Sequence, residues 1–272
     1  MTADRIKAYY AREIEKNRLE MDIFLFEGIR TKEILSRYLS SSPINILDVG
    51  GGAGYYAFWL QRQGHHVTLV DLSPKNIELV KAREFETGIP LTHVELGNAT
   101  DLQFPDHQFD LVLVFGPLYH LIERKDRIKA FLESKRVVKP GGIIVSAFIS
   151  RYASLFDGFK RDLVNDPHFE KLLKQDLISG LHENETENPD YFTTAYFHTP
   201  SQIKEEIQES GLQFEKLIAV ESFGWMIDDL IQKSKDTTYM ERLLYFIREV
   251  EMSEDLMAMS PHIIAVASKE LN

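Results

Sequence analysis

The segment that most restricts what this 272-residue chain can fold into is residues 46–54, Ile-Leu-Asp-Val-Gly-Gly-Gly-Ala-Gly. A short apolar run carries Asp48 near its end, and glycines follow at positions 50, 51, 52 and 54. The apolar, aromatic stretch from Tyr55 to Leu60 then suits a helix. Glycine adopts positive φ readily and lets a ligand approach the main chain closely. A helix start offers unpaired N–H groups and a partial positive charge. Strand, tight turn and helix start together make a seat for a nucleotide-like ligand at the carboxyl end of a strand.

The rest of the chain fits around such a seat. Apolar residues recur at helical spacing through Ile6, Tyr9, Tyr10 and Ile14, and again through Ile23, Phe26, Ile29, Ile34, Leu35 and Leu39. Two helices are therefore expected across 4–40, ending at Ser40-Ser41-Ser42-Pro43. Strands are expected at 44–49, 66–71, 91–96, 109–115 and 142–149, and helices at 54–63, 74–86 and 120–138. Ser73-Pro74 reads as a capped helix start, and Lys139-Pro140-Gly141-Gly142 as a turn launching a strand. This rhythm implies an α/β fold, a doubly wound and mostly parallel sheet with helices on both faces. Residues 150–197 break the rhythm and read as an insertion over the strand ends, rich in Phe, Tyr and acids. A helix from Thr199-Pro200 to about 210, a strand at 213–221, a helical stretch at 225–257 and a last strand at 262–268 complete the reading.

Composition narrows the chemistry. The chain contains no cysteine, which removes disulfides, thiolate metal sites and a cysteine nucleophile together. The formal charge of −11 disfavours a nucleic-acid partner, because such a surface repels phosphate backbones. No run of eighteen uncharged apolar residues predicts a membrane span, and no apolar signal core opens the chain. A cytoplasmic monomer or homodimer acting on a small molecule is the expectation.

Two cofactor classes use a glycine turn after the first strand. A nicotinamide dinucleotide wants G-x-G-x-x-G, but Tyr55 stands at the third glycine position. The spacing is instead Asp48-x-Gly50-x-Gly52-x-Gly54, and here the chain resembles the class I S-adenosylmethionine-dependent methyltransferases. The resemblance continues in order through Asp71 at the end of the second strand and Gly97-Asn98-Ala99-Thr100-Asp101. It then takes in Phe109-Asp110-Leu111-Val112 leading to Gly116-Pro117-Leu118-Tyr119-His120-Leu121, and finally Lys139-Pro140-Gly141-Gly142. It covers roughly 44–149, with weaker similarity at 199–221 and 262–270. It implies a seven-stranded Rossmann-like sheet with the last strand antiparallel, and S-adenosyl-L-methionine as cofactor.

By that resemblance the cofactor site comprises Asp48, Gly50, Gly51, Gly52, Asp71, Leu72, Asn98, Ala99, Phe115 and Gly116. Asp48 would lie near the methionine amino group or, alternatively, tie the glycine turn through backbone N–H groups. Asp71 would accept from the ribose hydroxyls, and Leu72 would pack on adenine. Asn98 stands where the family often has an acid, and its carbonyl oxygen would take the adenine amino group. Catalytic candidates are His120, a base at the active-site turn, with Tyr119 beside it and His198 before Thr199-Pro200. Each has a plain structural alternative as a packing or turn residue. Tyr9 and Tyr10 either form an aromatic lid or bury against the sheet, and Phe223, Trp225 and Met226 either line the acceptor pocket or, the favoured reading, belong to the core. No Asp/Asn-Pro-Pro-Tyr/Phe follows the fourth strand, which disfavours amide-type N-methylation, and no catechol-type metal cluster is visible.

The expected division is a helical cap at 1–43, a cofactor-binding domain at 44–149 and 199–272, and an inserted substrate cap at 150–198. The expected activity is methyl transfer to an oxygen or nitrogen of a small molecule, with carbon as competitor. The rivals are a catalytically silent S-adenosylmethionine-binding protein and an NAD(P)-dependent oxidoreductase.

Overall fold

The computed structural model describes residues 25–186 and 188–271. Helix α1 (Leu25–Ser36) leads into β1 (Asn45–Val49), α2 (Tyr55–Arg62), β2 (His66–Asp71), α3 (Pro74–Thr87) and β3 (His93–Leu96). Next come β4 (Phe109–Val114), the one-turn α4 (Pro117–His120), α5 (Arg124–Val137) and β5 (Val138–Ile149). Helices α6 (Ala153–Lys160) and α7 (Pro167–Ser179) and the short strands β6 (Leu181–His182) and β7 (Ala195–Tyr196) follow. The chain then runs through α8 (Pro200–Glu209), β8 (Gln213–Ala219), α9 (Leu230–Lys233), α10 (Thr237–Val250), α11 (Glu254–Met257) and β9 (His262–Ser268). Tyr9 and Tyr10 lie outside the described residues.

Seven strands form one sheet in the order β3-β2-β1-β4-β5-β9-β8. β1 to β5 pair in parallel, whereas β9 runs antiparallel to both β5 and β8. This is the doubly wound, mostly parallel sheet with an antiparallel last strand that the motifs imply. Alternate side chains of each central strand face opposite layers. Leu47, Val49, Val112 and Val114 meet Phe131 of α5 and Ile203 and Ile207 of α8 on one face. Ile46, Leu111 and Leu113 meet Ile34 and Leu35 of α1, Phe58 and Leu60 of α2 and Val80 of α3 on the other. Burial on both faces explains why these strands read as continuous apolar runs.

The local signals act as read. Ser73 Oγ accepts from the Asn76 N–H with Pro74 in the first turn of α3, and Gly88 closes that helix in the left-handed conformation. Thr199 and Gln202 form a reciprocal capping box at α8.

The single helix expected over 120–138 is divided into α4 and α5. The Arg127 guanidinium donates to the carbonyls of Leu121 and Ile122 at 2.8 and 2.7 Å and to the Glu206 carboxylate, all in the interior. Those carbonyls are thereby held in a non-helical turn. The helical stretch expected at 225–257 is likewise three helices, α9 to α11. The segment 150–197 contains α6, α7 and the β6–β7 pair. His182 Nδ1 meets Asp176 Oδ2 at 2.9 Å and its Nε2 meets the Tyr191 carbonyl at 2.6 Å, so a buried imidazole ties this segment together. Helix α1 is pinned by the buried Arg30, which donates to the Val220 carbonyl at 2.9 Å and to Glu251 at 2.5 Å.

Candidate active site

A cavity of about 430 Å3 opens at the carboxyl ends of β1, β2 and β4, where the strand order reverses. Its floor is the glycine turn. The N–H groups of Gly50 and Gly51 donate to the Val70 carbonyl at 2.7 and 3.3 Å, and that of Gly52 to Asp71 Oδ2 at 2.9 Å. Gly50 has φ +73°, and a Cβ there would lie 2.5 Å from Cδ of Pro117, so this turn and the one after β4 clasp each other. Gly52 has φ +56° and no atom within 4 Å of where its Cβ would be, so that side of it is open space.

The two aspartates of the site are treated differently. Asp71 is buried and accepts from the Gly52 and Ser73 N–H groups and from Asn76 Nδ2 at 2.9, 2.8 and 3.0 Å. Burial still outweighs these bonds and raises its pKa. Asp48 is 1% exposed, lines the cavity, and neither carboxylate oxygen has a hydrogen-bond partner. Burial first, and the charge of Asp71 second, push its pKa up to about 7. The turn is thus tied by Asp71 and the Val70 carbonyl, not by Asp48.

All ten residues assigned to the cofactor by resemblance line this one cavity. Leu72 is 38% exposed, so it is a surface facing the cavity rather than core. Phe115 is half-buried, with Tyr56 edge-on at 5.4 Å. Asn98 departs from its expected chemistry. Its Oδ1 already accepts from the N–H and hydroxyl of Thr100, at 3.0 and 3.1 Å. Its remaining capacity is the amide NH2, a donor.

Tyr119 and His120 also line the cavity, their rings 4.7 Å apart. His120 stacks on Phe192 at 6.0 Å and is hydrogen-bonded to the backbone of Thr194, so the residues before β7 cover it. Burial pushes its pKa down to about 4, which leaves the imidazole neutral and weakly basic at physiological pH.

His198 is not brought to the cavity. It is fully buried between Phe148 and Tyr196, ring distances 4.8 and 4.7 Å, with Nε2 3.4 Å from Glu206 Oε2. It belongs to the interior network in which Glu206 also holds Arg127, and the Arg127 guanidinium lies 3.9 Å over the Tyr196 ring. Phe223, Trp225 and Met226 are not among the lining residues either. Phe223 packs with Phe26, Leu243 and Ile247, and Trp225 donates to the Met259 carbonyl at 3.0 Å.

The wall across from the glycine turn contains residues that sequence reading passed over. Glu27 of α1 and His262 at the start of β9 line it, and Glu221 lies directly behind His262. One signal was available. An antiparallel last strand begins where the parallel strands end, so its first residue belongs to the ligand-bearing edge of the sheet.

Residues 47–146 match the family described as "Methyltransferase domain". A ubiquinone biosynthesis O-methyltransferase of Vibrio cholerae is 26% identical over 168 residues, 62% of this chain and 60% of that protein. A 2-methyl-6-phytyl-1,4-hydroquinone methyltransferase of Oryza sativa is 34% identical over 119 residues, 43% of this chain and 32% of that protein. The match thus spans less than two thirds of the length of either relative. An S-adenosylmethionine-dependent methyltransferase of Methanosarcina mazei shares the fold with a TM-score of 0.59 at 19% identity, over 88% of this chain and 98% of that one. Fold and cavity define a Rossmann-like protein with an open cleft at the ends of β1, β2 and β4. Over residues 47–146 the chain thus resembles a methyltransferase domain, on a fold shared with S-adenosylmethionine-dependent methyltransferases. Among the described residues no helix is long and apolar enough to cross a membrane.

Proposed function

We propose that this protein binds S-adenosyl-L-methionine across the ends of β1, β2 and β4 and directs its methyl group to an oxygen of a small molecule. One observation carries the reading: Asp48 presents a buried carboxylate without a partner in the cavity wall, beside an open glycine turn. Leaving such a group unpaired is unfavourable, and an ammonium group would satisfy it. The donor set therefore fits the amino-acid end of the cofactor. Gly50, Gly51 and Gly52 give it close passage over the turn, and Asp71 has one acceptor position left for a sugar hydroxyl. Leu72 and Phe115, with Asn98, Ala99 and Gly116, flank the base.

When bound, the cofactor supplies a methyl carbon already activated by a sulfonium. What remains for the protein is to orient the acceptor and exclude water. We assign the acceptor side to Tyr119 and His120 under the 150–198 segment, with helix α1 as a second cap. The described lining contributes Glu27, Asp48, Asp71, Glu123 and Asp126 but no Lys or Arg, which supports an acceptor without phosphate or carboxylate groups. The name of the Vibrio cholerae relative, an O-methyltransferase of ubiquinone biosynthesis, supports a phenolic hydroxyl. We place the protein in the cytoplasm as a monomer or homodimer with no nucleic-acid partner. Titration calorimetry tests the core of this reading. S-adenosylmethionine and its demethylated product should bind and NADH should not; the opposite pattern would overturn it.

A further inference from the structure

We propose that His262, oriented by Glu221, is the general base of the site and takes the proton from the acceptor hydroxyl. This rests on the reading above that the acceptor is a phenol bound beside the cofactor. His262 lines the cavity, and its Nδ1 lies 2.6 Å from Glu221 Oε1. Glu221 is buried, and its Oε2 accepts from the Ser260 hydroxyl at 3.0 Å and the His262 N–H at 3.2 Å. The Ser260 hydroxyl oxygen in turn accepts from the N–H groups of Glu221 and Ser222, at 3.1 Å each. Ser222 has φ +50°, an unfavourable conformation for a non-glycine residue, in a buried turn. Strain of this kind persists only where the surroundings fix it, and it collects at functional sites. His262 Nδ1, the His262 N–H and the Ser260 hydroxyl thus hold one carboxylate against one imidazole at the cavity wall.

The arrangement sets the tautomer. A carboxylate at Nδ1 keeps the proton there, so Nε2 carries the lone pair. As the acceptor oxygen bonds to the methyl carbon, the hydroxyl proton passes to Nε2, and the carbon–sulfur pair stays on sulfur as a neutral thioether. The imidazolium is then paired with Glu221 until it loses its proton to water. Among the described residues, the titratable groups facing His262 Nδ1 are Glu221, two residues beyond β8, and Glu27 Oε2 from α1 at 3.9 Å. Both favour the protonated ring, which a base needs when its substrate has a pKa of about 10.

The test uses the full-length protein, hydroquinone and catechol as acceptor probes, and nitrogen NMR of the histidine rings without cofactor. The wild type should show His262 as the Nδ1–H tautomer, and Glu221→Gln should shift its signals. His262→Asn should lower kcat at least 100-fold and leave the dissociation constant for S-adenosylmethionine within threefold. Its rate should rise about tenfold per pH unit between 6 and 9, where the wild-type rate levels off. Glu221→Gln should lower kcat about tenfold with KM unchanged. An Nε2–H tautomer in the wild type, or kcat within threefold in His262→Asn, would overturn the proposal. So would failure of the wild type to methylate either phenol while binding S-adenosylmethionine. Loss of wild-type turnover in EDTA, restored by Mg2+ or Zn2+, would make Glu27, Glu221 and His262 a metal site instead. Failure to bind S-adenosylmethionine at all would strike the function proposed above and leave the NMR result standing.

Discussion

On the β1–β2 side of the cavity, nearly everything that faces a ligand comes from residues 48–73, one strand–turn–helix–strand unit. On the far side, Glu27, Glu221 and His262 come from the start of α1, the turn after β8 and the start of β9, the first two 194 positions apart. The first side is made largely of main chain: glycine N–H groups, positive φ angles and a carboxylate that holds the turn. The second is made of side chains held by side chains. Backbone geometry demands particular residues at fixed local spacing, whereas a side-chain cluster needs only that the fold bring its members together. A generic ligand can therefore be bound by a local motif, and a particular acceptor by a distributed wall.

The largest effect that would sharpen this contrast concerns Asp48. Its pKa is raised by burial to about 7 from an ordinary 3.8, so the folded state holds its proton more tightly than the unfolded chain. Stability supplied by that proton is full below about pH 4 and falls as pH rises towards 7. The span of about three pH units corresponds to about 4 kcal/mol. Asp48→Asn should accordingly stabilise the cofactor-free protein at pH 8 by up to about 4 kcal/mol, with the gain vanishing near pH 4. Its affinity for S-adenosylmethionine should fall. Thermal unfolding across pH 4–8 checks the first part and calorimetry the second. A variant no more stable than wild type at pH 8 would mean that the carboxylate finds a partner without ligand, and the contrast with Asp71 would collapse.

Gly52→Val comes next. The side chain would project into open space, so the fold should survive with a loss of about 1–3 kcal/mol from the left-handed backbone. Binding of the cofactor should weaken at least 100-fold, equivalent to about 2.7 kcal/mol. Retained affinity would move the ligand off the turn. Asp71→Ala should follow at about 1–3 kcal/mol in binding, since it frees the Gly52 and Ser73 N–H groups and removes the sugar acceptor. If Asp71→Ala alters stability but not affinity, the aspartate only braces the turn.

What was legible in the sequence divides along the same line. The seven strands, their mixed direction and the glycine turn follow from local run lengths, punctuation and ordered motifs. Leu72 could be read as ligand-facing because it follows a strand whose last residue is Asp71. The break of 120–138 into two helices was not legible, because it depends on Arg127 reaching Leu121 and Ile122 while held by Glu206, 79 positions away. The saturation of Asn98 Oδ1 by Thr100 was readable in principle as a short polar turn, but the resemblance drew attention to the ligand instead. His262 lay hidden for a topological reason: only the reversal of β9 places the first residue of a terminal strand at the ligand edge.

The smallest expected effect belongs to His198, which shares its residue type with His120 and His262 but faces no part of the cavity. Burial lowers its pKa despite the neighbouring Glu206 carboxylate, so it is neutral in the folded state at physiological pH. Its contact with Glu206 is long at 3.4 Å, and Glu206 keeps shorter bonds to Arg127 at 2.7–3.1 Å. Replacement by asparagine should remove one weak bond and some ring packing, a loss of about 1 kcal/mol. Values of kcat and KM should stay within twofold. A change in kcat without a change in unfolding temperature would show that the interior network reaches the chemistry, through Arg127 and the Leu121–Ile122 turn that follows His120. The double variant His198→Asn with Arg127→Met would then be non-additive in rate. Additive losses confined to stability would keep the network and the cavity separate.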